Sequence, residues 1–76
     1  MRLYPNPTPG LLRVDLPPDF DGGQWQITDA QGVEIKVEEY NQSVIDIRNL
    51  SSGMYQFSVM NENGTLKLSK SFIKTR

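Results

Sequence analysis

The chain contains no cysteine and no histidine among its 76 residues. Without cysteine there is no disulfide and no thiolate metal site to hold a small fold together. Without histidine, Ser-His-Asp and Cys-His arrangements and the commonest zinc ligand sets are excluded. No apolar run approaches the roughly 20 residues a membrane-spanning helix needs. No leader is visible at the start, because Met1-Arg2 is followed almost at once by Pro5 and Pro7. The start reads as the edge of a domain cut from a longer protein. An excess of one sign of charge is missing too: the net charge is −1. There is no global basic field for nucleic acid or an anionic membrane surface.

What is present is alternation. From Ile45 to Val59 the chain reads strand, corner, strand. Ile45 and Ile47 alternate with Asp46 and Arg48, Ser51-Ser52-Gly53 interrupts, and Tyr55, Phe57 and Val59 alternate with Gln56 and Ser58. A period of two buries one face and leaves the other in water. Gly53 suits a positive φ, where a side chain would clash. Tyr55 sits just after the corner. There a tyrosine either packs its ring inside while its hydroxyl bonds back across the corner, or is one more core aromatic.

The rest of the chain repeats the pattern. The segment 1–10 is an extended proline-rich lead-in, because Pro5, Pro7 and Pro9 remove backbone donors and favour extended geometry. Leu3 and Tyr4 tuck onto the fold, and Gly10 turns into the first strand, Leu11 to Leu16. Pro17-Pro18 stops it, and 19–23 is a loop. Gln24 to Thr28 is a strand with Trp25 and Ile27 inward. Asp29-Ala30-Gln31-Gly32 is a hairpin connection before Val33, Ile35 and Val37. Tyr40-Asn41-Gln42 is a turn. Asn61-Glu62-Asn63-Gly64 is a hairpin turn, since Asn-Gly favours the turn types that match strand twist. Thr65 to Ile73 is the last strand. Six strands follow, and the lead-in can supply a seventh. The expected fold is an all-β, small immunoglobulin-like β-sandwich of six to seven mostly antiparallel strands, with 11–74 as the sandwich. The expected core is Leu12, Val14, Leu16, Trp25, Ile27, Val33, Ile35, Val37, Ile45, Ile47, Leu50, Tyr55, Phe57, Val59, Leu66, Leu68 and Phe72. Lys70 falls on the inward parity of the last strand. Either its stem lies along apolar surface with the amine in water, or a bulge shifts the register.

Little of this carries reaction chemistry. Ser51 and Ser52 lack a partner base and read as turn residues. Asp15, Asp19 and Asp21 are closely spaced acids beside Gly22-Gly23, and they read better as solvated loop aspartates than as calcium ligands. The glycines match no phosphate-binding spacing. Trp25, Tyr40 and Tyr4 can be drawn as a sugar-stacking platform, but the parity Trp25 shares with Ile27 favours the core. All nine acidic residues lie at or before Glu62, and Lys67, Lys70, Lys74 and Arg76 follow. Such a basic last strand is either a recognition feature or the lysine protection of an edge strand.

Four pieces, taken jointly and in order, resemble a known family. They are Leu3-Tyr4-Pro5-Asn6-Pro7-Thr8-Pro9-Gly10, Asp29-Ala30-Gln31-Gly32, Ile45-Asp46-Ile47-Arg48-Asn49-Leu50-Ser51-Ser52-Gly53-Met54-Tyr55 and Lys70-Ser71-Phe72-Ile73-Lys74. Across about residues 3 to 75 the chain resembles the type A C-terminal sorting domain of the type IX secretion system of Bacteroidota. The resemblance implies an address with no catalysis, no cofactor and no metal. It implies one immunoglobulin-like sorting domain spanning 1–76 at the end of a larger secreted cargo. It further implies recognition by an outer-membrane translocon and shuttle protein, removal by a surface sortase, and passage through the periplasm to the cell surface or medium. Nucleic acid and direct membrane insertion play no part. The opening motif falls on Tyr4, Pro5, Asn6, Pro7 and Gly10. The corner motif falls on Asp46, Leu50, Gly53 and Tyr55. The recognition segment falls on Gly64, Lys70, Phe72, Ile73 and Lys74. Two departures stand out: Val33 replaces the arginine usual after the middle turn, and Thr75-Arg76 extends past the closing segment. The last strand is then the natural place for strand addition or charge-guided docking. The competing reading is a carbohydrate-binding or adhesive sandwich module appended to a secreted enzyme.

The two readings differ at Trp25. A sugar binder exposes it on a flat outer face, whereas a sorting domain buries it. Blue-shifted tryptophan emission, resistant to a soluble quencher, is expected. Emission typical of an indole in water would favour the glycan binder.

Overall fold

The computed structural model describes residues 1–40 and 43–76. The expected turn at Tyr40-Asn41-Gln42 falls partly outside the described residues. Seven strands follow in order: β1 (Arg2–Tyr4), β2 (Leu11–Asp15), β3 (Gln24–Asp29), β4 (Glu34–Glu39), β5 (Val44–Asp46), β6 (Gly53–Met60) and β7 (Lys67–Lys74). They form a three-stranded sheet, β1-β2-β5, and a four-stranded sheet, β4-β3-β6-β7, with every strand pair antiparallel. The chain changes sheet after β2, β4 and β5. This is the immunoglobulin-like arrangement, with the fourth strand in the sheet that carries the third.

The core between the sheets follows the alternation. Leu3, Leu12, Val14 and Ile45 from one sheet meet Trp25, Ile27, Tyr55, Phe57, Val59 and Phe72 from the other. Trp25 stacks on Phe57 with ring centroids 5.8 Å apart. The lead-in enters the fold more deeply than its prolines suggest. Arg2–Tyr4 is a paired strand, with Leu3 buried opposite Val14. Phe20, expected in a loop, is buried at the end of a 3-10 turn over Pro18–Phe20. Pro18 suits the first position of such a turn, where no amide donor is needed. Tyr40 is buried as well, with backbone bonds to Gly22 and Gly23.

Four expected core residues are on the outside. Val33 is 56% exposed, Ile35 42%, Val37 38% and Leu66 45%. Leu16, Leu50 and Leu68 are only partly buried against the core. The β4 error has a specific cause. Gly32 has φ +83, and Asp29 N–H donates to Val33 O across the loop Ala30-Gln31-Gly32. A three-residue loop ending in a left-handed glycine brings a bulge with it. The register does shift there: Ile27 pairs with Lys36 and Trp25 with Glu38, while Thr28 pairs with Glu34. Lys36 and Glu38 therefore share the inward face, and Ile35 and Val37 point outward. Alternation alone does not say which parity is inside. The opposing sheet has only three strands, so the inner face of β4 opens onto a groove with Trp25, Val44 and Asp46 and is compatible with charge.

The second hairpin turns where expected, with the Gly64 N–H donating to Asn61 O, but the strand after it starts later. Asn61 N–H donates to Leu66 O, and Asn61 Oδ1 accepts from both Thr65 and Leu66 amides. Gly64 has φ +74, and among the described residues no residue other than glycine has a positive φ. The connection is a four-residue loop organised by the Asn61 side chain, not a two-residue Asn-Gly turn, so β7 starts at Lys67 and not at Thr65.

These placements separate two isoleucines of similar hydropathy. A 76-residue fold has a total stability of about 4–11 kcal/mol. Ile27→Ala is expected to cost about 2–5 kcal/mol by opening a cavity. Ile35→Ala is expected to stay within about 1 kcal/mol, because the outer face holds little packing around it. Urea unfolding of the two variants checks the parity of β4, and equal losses would show that Ile35 packs inside.

Candidate functional site

The lead-in is built to lie along a strand edge. Pro5, Pro7 and Pro9 have no amide N–H, so the donors that remain belong to the even-numbered residues Asn6, Thr8 and Gly10. They do not act alike: the Gly10 N–H turns back to the Thr8 hydroxyl, whereas the Thr8 N–H faces the terminal strand. The Thr8 N–H donates to Ile73 O at 2.8 Å, and the Thr75 N–H donates to Thr8 O at 2.8 Å. Asn6 Oδ1 accepts from the Ile73 N–H at 2.9 Å. Thr8 thus bridges to Lys74 in the parallel sense. Its side chain, wholly buried, donates to Leu11 O at 2.8 Å and accepts from the Gly10 N–H at 3.2 Å. Every polar group of this buried threonine is satisfied. The Tyr4–Pro5 and Asn6–Pro7 bonds are both cis. Tyr4 is partly exposed, with the Arg2 guanidinium 4.6 Å from its ring centroid.

The corner lies beside this junction. Ile47 N–H donates to Gly10 O, and Leu50 N–H to Ile47 O. The Tyr55 hydroxyl donates to Ser51 O at 2.7 Å while its ring stacks on Phe72 at 5.7 Å. This is the tyrosine corner, and its hydrogen bond is worth about 1 kcal/mol net. Gly53 has φ +152, a conformation side chains rarely adopt, and pairs with Lys74. Arg48 folds back on Asp46: Nη2 reaches Oδ2 at 2.7 Å and Nε reaches Oδ1 at 3.0 Å. The Arg48 stem crosses Gly10 so closely that a Cβ there would stand 2.5 Å from Arg48 Cγ.

Three separate stretches of sequence thus converge at one end of the sandwich. Asn6 and Gly10, then Asp46, Leu50, Gly53 and Tyr55, then Phe72, Ile73 and Lys74 meet there through the contacts above. Gly64 does not join them. It lies past the opposite end of the β6-β7 pair, eight residues long in each strand, about 24 Å away along the sheet. Lys70 is between, paired with Phe57. Registration is continuous along β7, so there is no bulge, and Lys70 is exposed on the inward parity at the rim of the sandwich. Ile73 is also exposed, whereas Phe72 is core. Lys74 is only 6% exposed, and its ammonium donates to Thr75 O. Sequence reasoning missed Thr8 and Arg48. The alternate prolines were a usable signal for Thr8, because they show which donors survive. Nothing in the sequence marks Arg48 as the partner of both Asp46 and Gly10.

The aromatic residues do not assemble into a platform. Trp25 and Tyr40 are buried, and Tyr4 stands apart on the edge of the other sheet. Burial, then Asp21 and Asp15, pushes the Tyr40 hydroxyl above its ordinary range. Among the described residues, no three potential metal-ligating side chains converge. The groove beside Trp25, about 490 Å³, is lined by Lys36, Glu38, Glu39 and Asp46 with Val44 and Ile45.

Hydrogen bonds from Arg48 hold the Asp46 carboxyl at a pKa of about 2, against an ordinary 3.8. A depressed folded-state value makes the pair stabilising above the ordinary carboxylate pKa and progressively lost as pH falls through 2. In a side-chain carboxyl NMR titration Asp46 is expected to protonate near pH 2, and in Arg48→Ala near 3.8. Unchanged titration in the variant would show that the pair does not form in solution.

Compared with models of protein families, residues 2–75 match the one described as the secretion system C-terminal sorting domain. No curated protein sequence matches the chain.

Proposed function

The chain belongs to that family of sorting domains, and from this premise we propose that it is the address by which a covalently fused, N-terminal cargo leaves the periplasm through the outer-membrane type IX translocon. The family is a signal and not a catalytic module. In this reading the outer-membrane shuttle protein and the translocon engage the folded domain, and a surface sortase removes it as the cargo reaches the cell surface or medium. The chain 1–76 is then a single domain excised from the end of a larger secreted protein.

The observation that carries this reading is the junction between the lead-in and β7. The cargo joins the domain through the lead-in, and the terminal basic strand is the segment that the resemblance marks for recognition. In the folded domain the two are hydrogen-bonded neighbours. Presentation of the terminal strand therefore depends on a folded lead-in. Within that strand the roles divide by exposure. Lys70 and Ile73 offer accessible side chains, whereas Phe72 and Lys74 are buried and hold the strand in place. Tyr4, Pro5, Asn6, Pro7, Gly10, Asp46, Leu50, Gly53 and Tyr55 act as scaffold, and Gly64 shapes the distant hairpin.

The test is a fusion of the domain and its upstream linker to a periplasm-directed fluorescent protein, in a bacterium with a type IX system. Surface and medium fluorescence are expected to require both the translocon and the domain. Lys70→Glu and Ile73→Ser are expected to retain the cargo in the periplasm while leaving the melting temperature of the domain nearly unchanged. Deletion from Phe72 onward is less informative, because it removes a core ring. Export that persists without the translocon would overturn the assignment.

A further inference from the structure

The two-fold alternation of β7 shows which of its backbone groups are free. The Ile73 N–H and C=O and the Thr75 N–H all point away from β6, since they bond to Asn6 and Thr8. Extended chain repeats every second residue. The N–H and C=O groups of Lys67, Ser69 and Ser71 therefore point the same way. The paired groups agree: Leu66 O, of the opposite parity, accepts from Asn61 N–H across the hairpin. Beyond the lead-in, the edge of β7 is a run of donors and acceptors without a partner among the described residues.

Among the described residues the other sheet edges are poorer templates. β1 and β5 have three residues each. β4 has a bulge at its start and carries Glu34, Glu38 and Glu39. β7 is eight residues long and regular, carries Lys67 and Lys70, and follows the last acidic residue of the chain. The molecule also contains its own demonstration that this edge takes an added chain, because Asn6–Thr8 is seated on its terminal part.

We infer that the Lys67–Ser71 edge of β7 is a strand-addition site that takes an extended, acidic segment of a partner protein, about five residues long and stopped by the lead-in. This rests on the sorting-signal reading and specifies the contact by which the domain is recognised. Main-chain hydrogen bonds supply the attachment, and the two lysines select against neutral or basic strands. The carboxylates along β4 make the opposite edge of the same sheet repel such a segment.

Proline at position 69 separates this contact from the fold. The Ser69 N–H is not part of the β6-β7 ladder, so Ser69→Pro removes an outward donor and places a ring where the incoming strand would lie, as edge strands tolerate. Ser69→Ala also loses the 2.9 Å bond to Ser58 Oγ but keeps the N–H. In the fluorescent fusion, Ser69→Pro and the charge-reversed Lys67→Glu/Lys70→Glu pair are expected to lose surface fluorescence, and Ser69→Ala to keep it. Circular dichroism of each isolated variant checks the sandwich, and the charge-reversed pair carries the test if proline disturbs it. Wild-type export with undiminished export of Ser69→Pro and of the charge-reversed pair would overturn strand addition and leave the sorting function standing. Periplasmic retention of the wild-type fusion would overturn both. Sedimentation showing a wild-type dimer that Ser69→Pro converts to monomer would make a second copy of the chain the occupant, and would overturn the acidic partner.

Discussion

The fold depends on closing its two ends against each other. Thr8 lies between Ile73 and Thr75, with its amide and carbonyl both bonded to the terminal strand and its hydroxyl satisfied within the turn. The nearby Asn6 side chain supplies a further acceptor. A small chain without disulfides buries only about 60% of its unfolded surface, so no strand end can be left loose cheaply. Prolines on both sides of Thr8 lower the conformational entropy of the free lead-in. The same junction covers the last turn of the corner, where Gly10 carries the Arg48 stem and Gly53 pairs with Lys74.

The unequal sheets explain the distribution of charge. Three strands cannot cover four, and the uncovered strand, β4, has Lys36 and Glu38 on the face that would otherwise be core. Its apolar residues Ile35 and Val37 go to the outer face, where Val37 lies near Met60. At the other end of the sheet, β7 is covered only where the lead-in reaches. Natural sheets usually blunt such an edge with lysine, a bulge or a covering segment. Here the covering segment stops at Ile73, and upstream of it the edge carries Lys67 and Lys70.

Corner, lead-in and terminal strand are coupled through shared partners. The Tyr55 ring packs on Phe72 while its hydroxyl fixes the corner at Ser51. Loss of the corner would therefore loosen β7 directly. The Asp46–Arg48 pair is exposed and contributes little stability by itself, as surface ion pairs generally do. Its geometric effect is larger, because it sets the Arg48 stem against Gly10 and so the angle at which the lead-in turns into β2.

The sequence by itself determined the strand content, most of the core and the place of the corner, because alternation and a glycine break act within a few residues; that the Tyr55 hydroxyl bonds across that corner was decided by the structure. Ile45, Ile47, Tyr55, Phe57, Val59 and Phe72 are all buried as their period requires. Trp25 and Ile27 share one inward face as their parity predicts. The motif residues were legible as a set, yet the sequence did not show that Asn6 and Ile73, 67 positions apart, touch. Tertiary structure alone decided which parity of β4 faces inward, since that depends on a bulge and on the width of the opposing sheet. It also decided that Lys74 is buried while Lys70 is exposed, and that the edge of β7 is occupied at Ile73 but open at Ser69. Each of these rests on what lies across a sheet or beside a strand, and contacts between residues distant in sequence leave no local pattern to read.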